Sequence, residues 1–314
     1  MHLLLIFISL ITIALSPFFG QIDLSLVNII DSSKMEYQIF WELRVPRTIL
    51  AFCVGAILAL SGLVFQTLFR NPMSTPFTLG VASGATLFTA IAIVLGFISY
   101  VSFFAFLGSL LTIVVLFIIA KKFDSVETSS LLLVGIALSF FYSACLMVLF
   151  FISDLQESYE IVRFTMGSLD IVGFDNVYWV IASSIFLLTL VKKYEKQIHL
   201  LLVSYEFAKL KGVDVKKTNY ILLFSVSIVV GICVSITGPI GFIGLIVPHI
   251  IKTITKKSAN KLIFPIFFYG GVFLVLCDII ARNLGTTSDI PIGVITSFLG
   301  APFFIYLIMK RKKV

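Results

Sequence analysis

From Thr48 to Phe69 the chain runs for 22 residues without a charged side chain, between Arg44-Val45-Pro46-Arg47 on one side and Arg70-Asn71-Pro72 on the other. At about 1.5 Å per residue a helix of that length measures about 33 Å, the thickness of a bilayer's hydrocarbon core. Lipid offers the backbone no hydrogen-bond partners, so a segment that crosses it must be a helix or part of a closed barrel. Further uncharged runs fall near 2–19, 79–97, 100–120, 128–152, 176–194, 218–237, 262–282 and 290–309. The chain as a whole is 59% hydrophobic and only 12% charged, against roughly 25% charged in a soluble domain. We therefore expect an all-α polytopic membrane protein, with residues 1–314 forming one transmembrane domain. The net charge of +7 does not call for nucleic acid, because in a membrane protein the placement of charge matters more than its sum.

The stretch between Lys217 and Lys252 holds 34 uncharged residues interrupted by Gly238-Pro239-Ile240-Gly241. It is too long for one span and short for two. A full helix ending near Thr237, followed by a shorter return segment from Phe242 to about Lys256, brings the number of crossings to ten. Charge tests that parity. With ten crossings, Arg70, Lys121, Lys122, seven lysines from Lys192 to Lys217, four from Lys252 to Lys261, and Lys310, Arg311, Lys312 and Lys313 share one side. Lys34, Arg44, Arg47, Arg163 and Arg282 lie on the other, so 18 of the 23 basic residues are together. The positive-inside rule makes that side cytoplasmic and places both termini there. The first apolar run could pass for a signal peptide. It has no Lys or Arg ahead of it and no small-residue cleavage site, so we expect a retained helix.

An internal echo links the two halves. At an offset of 176 residues Gly55 matches Gly231, Ser61 matches Thr237, Gly62 matches Gly238 and Pro72 matches Pro248. The helices concerned are five spans apart and so run in opposite directions, the mark of an inverted internal repeat. Gly55, Ala59 and Gly62 also recur at a spacing that lets helix backbones approach closely.

Catalytic signatures are absent. No G-x-x-x-x-G-K-[ST] occurs, so ATP cannot be hydrolysed by that route, and there is no H-E-x-x-H. Cys53, Cys145, Cys233 and Cys277 fall in apolar runs and read as small buried hydrophobes. His2, His199 and His249 are far apart, so no metal site or cofactor is expected. Asp278 and Arg282 are spaced to pair on one helix face near its outer end. With no other ionisable residue expected at membrane depth, the energy for transport has to come from a partner protein. In the cytoplasmic loop of about 195–219, Ser204 can cap a short helix with Glu206 in its first turn and Gly212 as its left-handed stop. Phe207 and Leu210 share one face of it. Two turns of helix are unstable alone, so this one docks either on the protein's own helix ends or in a cleft of a separate ATPase.

Several of these stretches, in order and spacing, resemble the FecCD-type permeases, the membrane subunits of ABC importers for iron–siderophore, haem and cobalamin complexes. They are RVPR (44–47), LSGLVFQTLFRNP, LGVASGA, LLLVGIALS, MGS (166–168), GPIGFIGLIVPHI, and DIIAR followed by DIPIGVITSFLGAPFF. The resemblance implies a permease that pairs with a second copy or a homologue, binds a cytoplasmic ABC ATPase dimer, and receives cargo from an extracytoplasmic substrate-binding protein at the bacterial inner membrane. It maps binding-protein docking to Arg44, Arg47 and Arg282, ATPase coupling to Ser204, Glu206, Phe207, Leu210 and Gly212, and a cytoplasmic gate to Ser83, Thr128 and Ser129. For the arginines the alternative is ordinary anchoring at the membrane interface. Asp289 stands where Glu is usual, Phe164 where Trp is frequent, and Lys252 where Arg is usual. The competing functional readings are a self-sufficient secondary transporter with inverted repeats and a membrane-embedded enzyme.

Overall fold

The computed structural model describes residues 2–25, 27–122, 128–255, 262–285 and 289–311, and among the described residues there is no strand. Ten apolar helices match the ten expected crossings: α1 His2–Leu15, α3 Val45–Leu68, α4 Val81–Val94, α5 Val101–Lys122, α6 Thr128–Ile152, α8 Asp175–Lys193, α11 Val215–Thr237, α12 Ile243–Thr255, α13 Ile263–Leu284 and α14 Ile292–Arg311. Among the described residues six helices are long and apolar enough to cross a membrane, with four shorter apolar helices beside them. Lys256, Lys257, Lys261, Lys312 and Lys313, counted above in the charge asymmetry, lie outside the described residues.

Helix α3 is the centre of the molecule. It packs against α8, α11, α12 and α13, and the apolar window that includes it is 89% buried, against 17% for α6. A helix with no exposed stripe needs apolar or small residues all round; Leu50, Ile57, Leu60, Leu63, Phe65 and Leu68 supply them. The peripheral α6 instead turns Phe140, Met147 and Phe151 outward, which only lipid or another apolar protein surface can solvate.

Close approach to α3 is set by glycine. A Cβ on Gly62 would sit 2.0 Å from the Gly244 carbonyl oxygen of α12, so the two backbones touch, and Gln66 fixes the contact by donating from Nε2 to the same carbonyl at 2.9 Å. At the other break, Gly238 ends α11 at φ +65°, and a Cβ there would meet the Phe164 carbonyl at 2.3 Å. The loop after residue 166 threads past this point, where the Ser168 N–H donates to the Thr237 carbonyl at 2.8 Å. The echo between halves is kept at the level of elements: α3 and α11 are long, each is followed by irregular chain, and α4 and α12 are short. The matched glycines differ locally, since Gly62 lies inside α3 and Gly238 lies just past α11.

Three helical segments, 35–44, Leu155–Met166 and Glu195–Val203, extend the sequence-based picture. Residues 35–44 are helical (α2 Met35–Gln38, then a π turn Ile39–Arg44) and lead straight into α3. Pro46 stands in the first turn of α3, where a missing N–H costs no α-helical bond, and the π turn ahead of it extends the helical path back to Met35. The wide turn ahead of it accommodates a residue that lacks an N–H. Helix α7, Leu155–Met166, is capped reciprocally by Asp154 and Glu157. Helices α9, Glu195–Val203, and α10, Tyr205–Leu210, form an elbow between α8 and α11. Cys53, Cys233 and Cys277 are buried free thiols and Cys145 is half-buried.

Candidate functional site

The 24 residues of α3 span about 36 Å, and each end of the helix is held by a polar cluster. At its N-terminal end Arg47 gathers three carboxylates from three other segments. Its Nε donates to Asp278 Oδ1 at 2.9 Å, and its Nη1 to Asp170 Oδ1 at 2.6 Å and Asp289 Oδ2 at 2.5 Å. Arg282 Nη2 stands 3.0 Å from the second oxygen of Asp278, the pairing its i,i+4 spacing predicts, and Arg163 lies 3.8 Å from Asp170. The three carboxylates differ in exposure: Asp278 is 0% exposed, Asp289 28% and Asp170 44%. Two clefts, of about 390 and 420 Å³, flank the cluster, and Arg47, Asp170 and Asp289 line both.

Arg44 and Arg282, expected to face a partner, are largely buried. Arg44 is buried and donates to the carbonyls of Pro17, Phe18 and Ile22. Arg282 is buried and donates to the carbonyls of Ser16 and Phe19 and to the Ser16 hydroxyl. Carbonyls past the end of a helix lack most of their helical partners, and these guanidiniums, each with five donors in a rigid fork, bond several of them here, Ser16 also accepting from the Phe19 N–H. Arg47 lines both clefts, while Arg44 and Arg282 line only the second.

At the C-terminal end of α3 the α9–α10 elbow is clamped on. The Tyr205 hydroxyl donates to the Leu68 carbonyl, Arg70 Nη2 donates to the Val203 carbonyl at 3.1 Å, and the Arg70 guanidinium lies 5.2 Å from the Tyr205 ring centroid. The elbow helix has the caps read from its sequence. Ser204 accepts from the Phe207 N–H at 3.2 Å, Glu206 stands in the first turn, and Gly212 follows at φ +80°. Ala208 faces inward, while Phe207 is 39% and Leu210 85% exposed. Ser83 lies half-buried in the first turn of α4. Thr128 and Ser129 open α6, with side chains outside the described residues.

Asp170 was not read from the sequence as a site residue, although it follows the Met166–Ser168 motif by two positions. Nothing in the cluster resembles a catalytic constellation, and among the described residues no three His, Cys, Asp or Glu side chains are placed to hold a metal. The arrangement is mechanical and electrostatic: one buried rod, an ionic junction at one end, a docked elbow with an apolar tip at the other.

The profile of the FecCD transport family matches residues 5–310. The chain belongs to the FecCD transport family. It is 34% identical over 306 residues to the hemin transport system permease protein HmuU of Yersinia pestis, covering 94% of this chain and 90% of that one. It is 31% identical over 299 residues to the molybdate import system permease protein MolB of Haemophilus influenzae, covering 95% and 88%. Among solved structures it superposes, with a TM-score of 0.88 and 30% identity over 98% of this chain and 97% of the other, on an ABC transporter assigned to the metal-chelate type, in an inward-facing conformation. As a FecCD-family member this protein is a multi-pass permease of an ABC importer, a transport subunit whose ATP hydrolysis is supplied by a separate protein.

Proposed function

We propose that this FecCD permease forms the pathway for an iron chelate or a related metal complex, delivered by a substrate-binding protein at the Arg47 end and driven by an ABC ATPase dimer at the α10 end. The observation that carries the reading is the near-full-length superposition on a metal-chelate type transporter. The named relatives carry hemin and molybdate, so selection among cargoes rests with the binding protein. The buried charges support this division of labour: among the described residues the buried charged side chains are Arg44, Asp278 and Arg282, all gathered at one end of the bundle. A second copy or homologue completes the pathway, with Ser83, Thr128 and Ser129 as its cytoplasmic gate. The lysine-rich α10 side is cytoplasmic by the positive-inside rule, which puts both termini in the cytoplasm of a cell with an inner membrane.

In vesicles containing the permease and its ATPase, uptake of a ferric chelate should require ATP on the α10 face and loaded binding protein on the Arg47 face. Hemin, cobalamin and molybdate serve as competing cargoes. Uptake without the ATPase, or of molybdate alone, would overturn the proposal.

The exposed apolar tip of α10 fits insertion into an ATPase cleft. Leu210→Asp should leave the isolated permease folded, because an exposed leucine contributes little there. A charge buried without a partner in an interface is costly, so co-purification of the ATPase should fall by at least about tenfold, equivalent to about 1.4 kcal/mol or more. Wild-type yields of the complex would assign α10 to packing within the permease.

A further inference from the structure

The ionic cluster at the Arg47 end is balanced in charge. Three cations, Arg47, Arg163 and Arg282, face three carboxylates, Asp170, Asp278 and Asp289. Arg47 already contacts all three carboxylates, two of them through the single Nη1 atom. An acidic side chain approaching this face meets Arg163, which is 54% exposed and only 3.8 Å from Asp170, and behind it Arg47, which is 12% exposed. Arg47 is ringed by negative charge, and a fourth carboxylate added to that ring would be repelled by the other three. Docking of an acidic partner at Arg47 is therefore favoured by the departure of one resident carboxylate.

The three are not equivalent. Asp278 is fully buried, sits on the rigid α13 and is shared with Arg282, so removing it from Arg47 would strand charge in the interior. Asp289 is the less exposed of the remaining two and lies 3.5 Å from the Gln21 amide. Asp170 is the most exposed, stands in the loop between α7 and α8, lines both clefts, and has Arg163 at 3.8 Å to receive it. An exposed ion pair on a loop is the least costly of the three to exchange.

We infer that Asp170 is a displaceable internal counterion that masks Arg47 until a carboxylate of the docking protein takes its place. This rests on the proposal that the Arg47 face receives the substrate-binding protein. The exchange swaps one carboxylate for another, so the number of ion pairs is nearly unchanged by docking. The affinity of the wild-type permease for its partner is accordingly reduced by the masked fraction and depends only weakly on salt.

The test measures the affinity of loaded binding protein for the complete transporter in nanodiscs, from low to physiological salt. Asp170→Asn should tighten binding about three- to tenfold at low salt by removing the competitor, and the affinity should then fall more steeply with salt, because a new pair is gained on docking. Asp170→Glu keeps the charge and should retain the wild-type affinity and salt profile, which separates charge from loop shape. Arg47→Gln should weaken binding in either background. Unchanged or weaker binding by Asp170→Asn, with Arg47→Gln still deleterious, would overturn the masking role and leave the docking face intact. No effect of Arg47→Gln would overturn the docking face itself. Tightening by Asp170→Asn that survives Arg47→Gln would also overturn the masking role.

Discussion

A single added methyl group at Gly62 is expected to be among the most damaging changes this permease can receive. The Cβ of Gly62→Ala would lie 2.0 Å from the carbonyl oxygen of Gly244, 2.5 Å from its Cα and 2.6 Å from its carbonyl carbon. All three are backbone atoms of the chain entering α12, so no side chain can rotate away. The helices must move apart, and the Gln66–Gly244 hydrogen bond that braces the contact must lengthen or break. Overpacking a core costs typically 1–3 kcal/mol, more where backbone must shift, and the helix contact in lipid depends on dispersion and close approach rather than on the hydrophobic effect. A loss of about 3 kcal/mol would lower the melting temperature in detergent by roughly 6–12 °C. Gly241→Ala, where a Cβ meets nothing within 4 Å, should be nearly silent. A Gly62→Ala protein melting within a degree of wild type would show that the α3–α12 contact is looser than its geometry.

Why Gly62 matters was only half visible in the sequence. The spacing of Gly55, Ala59 and Gly62 announces a close helix contact, but not which helix answers it. Gly55 meets Gly270 of α13 and Gly62 meets Gly244, partners supplied by two different later elements. The ten apolar segments were legible because span length and absence of charge are local properties that lipid enforces strictly. The α10 helix was legible because caps are also local: Ser204, Glu206 and Gly212 state its start and stop within nine residues. Helices α7 and α9 were missed because charge was read as loop. The Asp154-x-x-Glu157 capping box was nevertheless there to be read. The helical turn before Pro46 was hidden because proline is a good predictor of a helix start and a π turn has no sequence signature.

The functional cluster divides the same way. Asp278–Arg282 is an i,i+4 pair and could be written down from spacing. Arg47's bonds to Asp170, Asp278 and Asp289 join residues 123, 231 and 242 positions apart, and no periodicity encodes them. The resemblance named Arg44, Arg47 and Arg282 as one group with one role. The fold gives them different partners: Arg44 and Arg282 bond carbonyls near the end of α1, Arg282 also pairs with Asp278, and Arg47 holds three carboxylates beside two clefts.

Asp278 is where this junction can be tested most severely. Its carboxylate has no solvent exposure and sits between Arg47 Nε at 2.9 Å and Arg282 Nη2 at 3.0 Å. Asp278→Ala leaves two guanidiniums close together in the interior with their shared counterion gone. Removing one member of a buried pair typically costs about 3–5 kcal/mol, since the remaining charge can neither rehydrate nor neutralise, and arginine does not deprotonate in proteins. Asp170 and Asp289 still hold Nη1 of Arg47, so Arg282 bears most of the loss, and with it the tie to Ser16 and Phe19 at the end of α1. The expected result is a sharp fall in the yield of folded permease, accompanied by proteolysis in the segment after α1. Asp278→Asn keeps an acceptor for Arg47 and should retain more folded protein than Asp278→Ala. Arg163→Ala, which breaks only an exposed contact at 3.8 Å, should cost no more than about 1 kcal/mol. Equal stability of Asp278→Ala and Arg163→Ala would mean that the junction is wet and mobile. The ion network would then be incidental to how α3 and α13 are held together at this end.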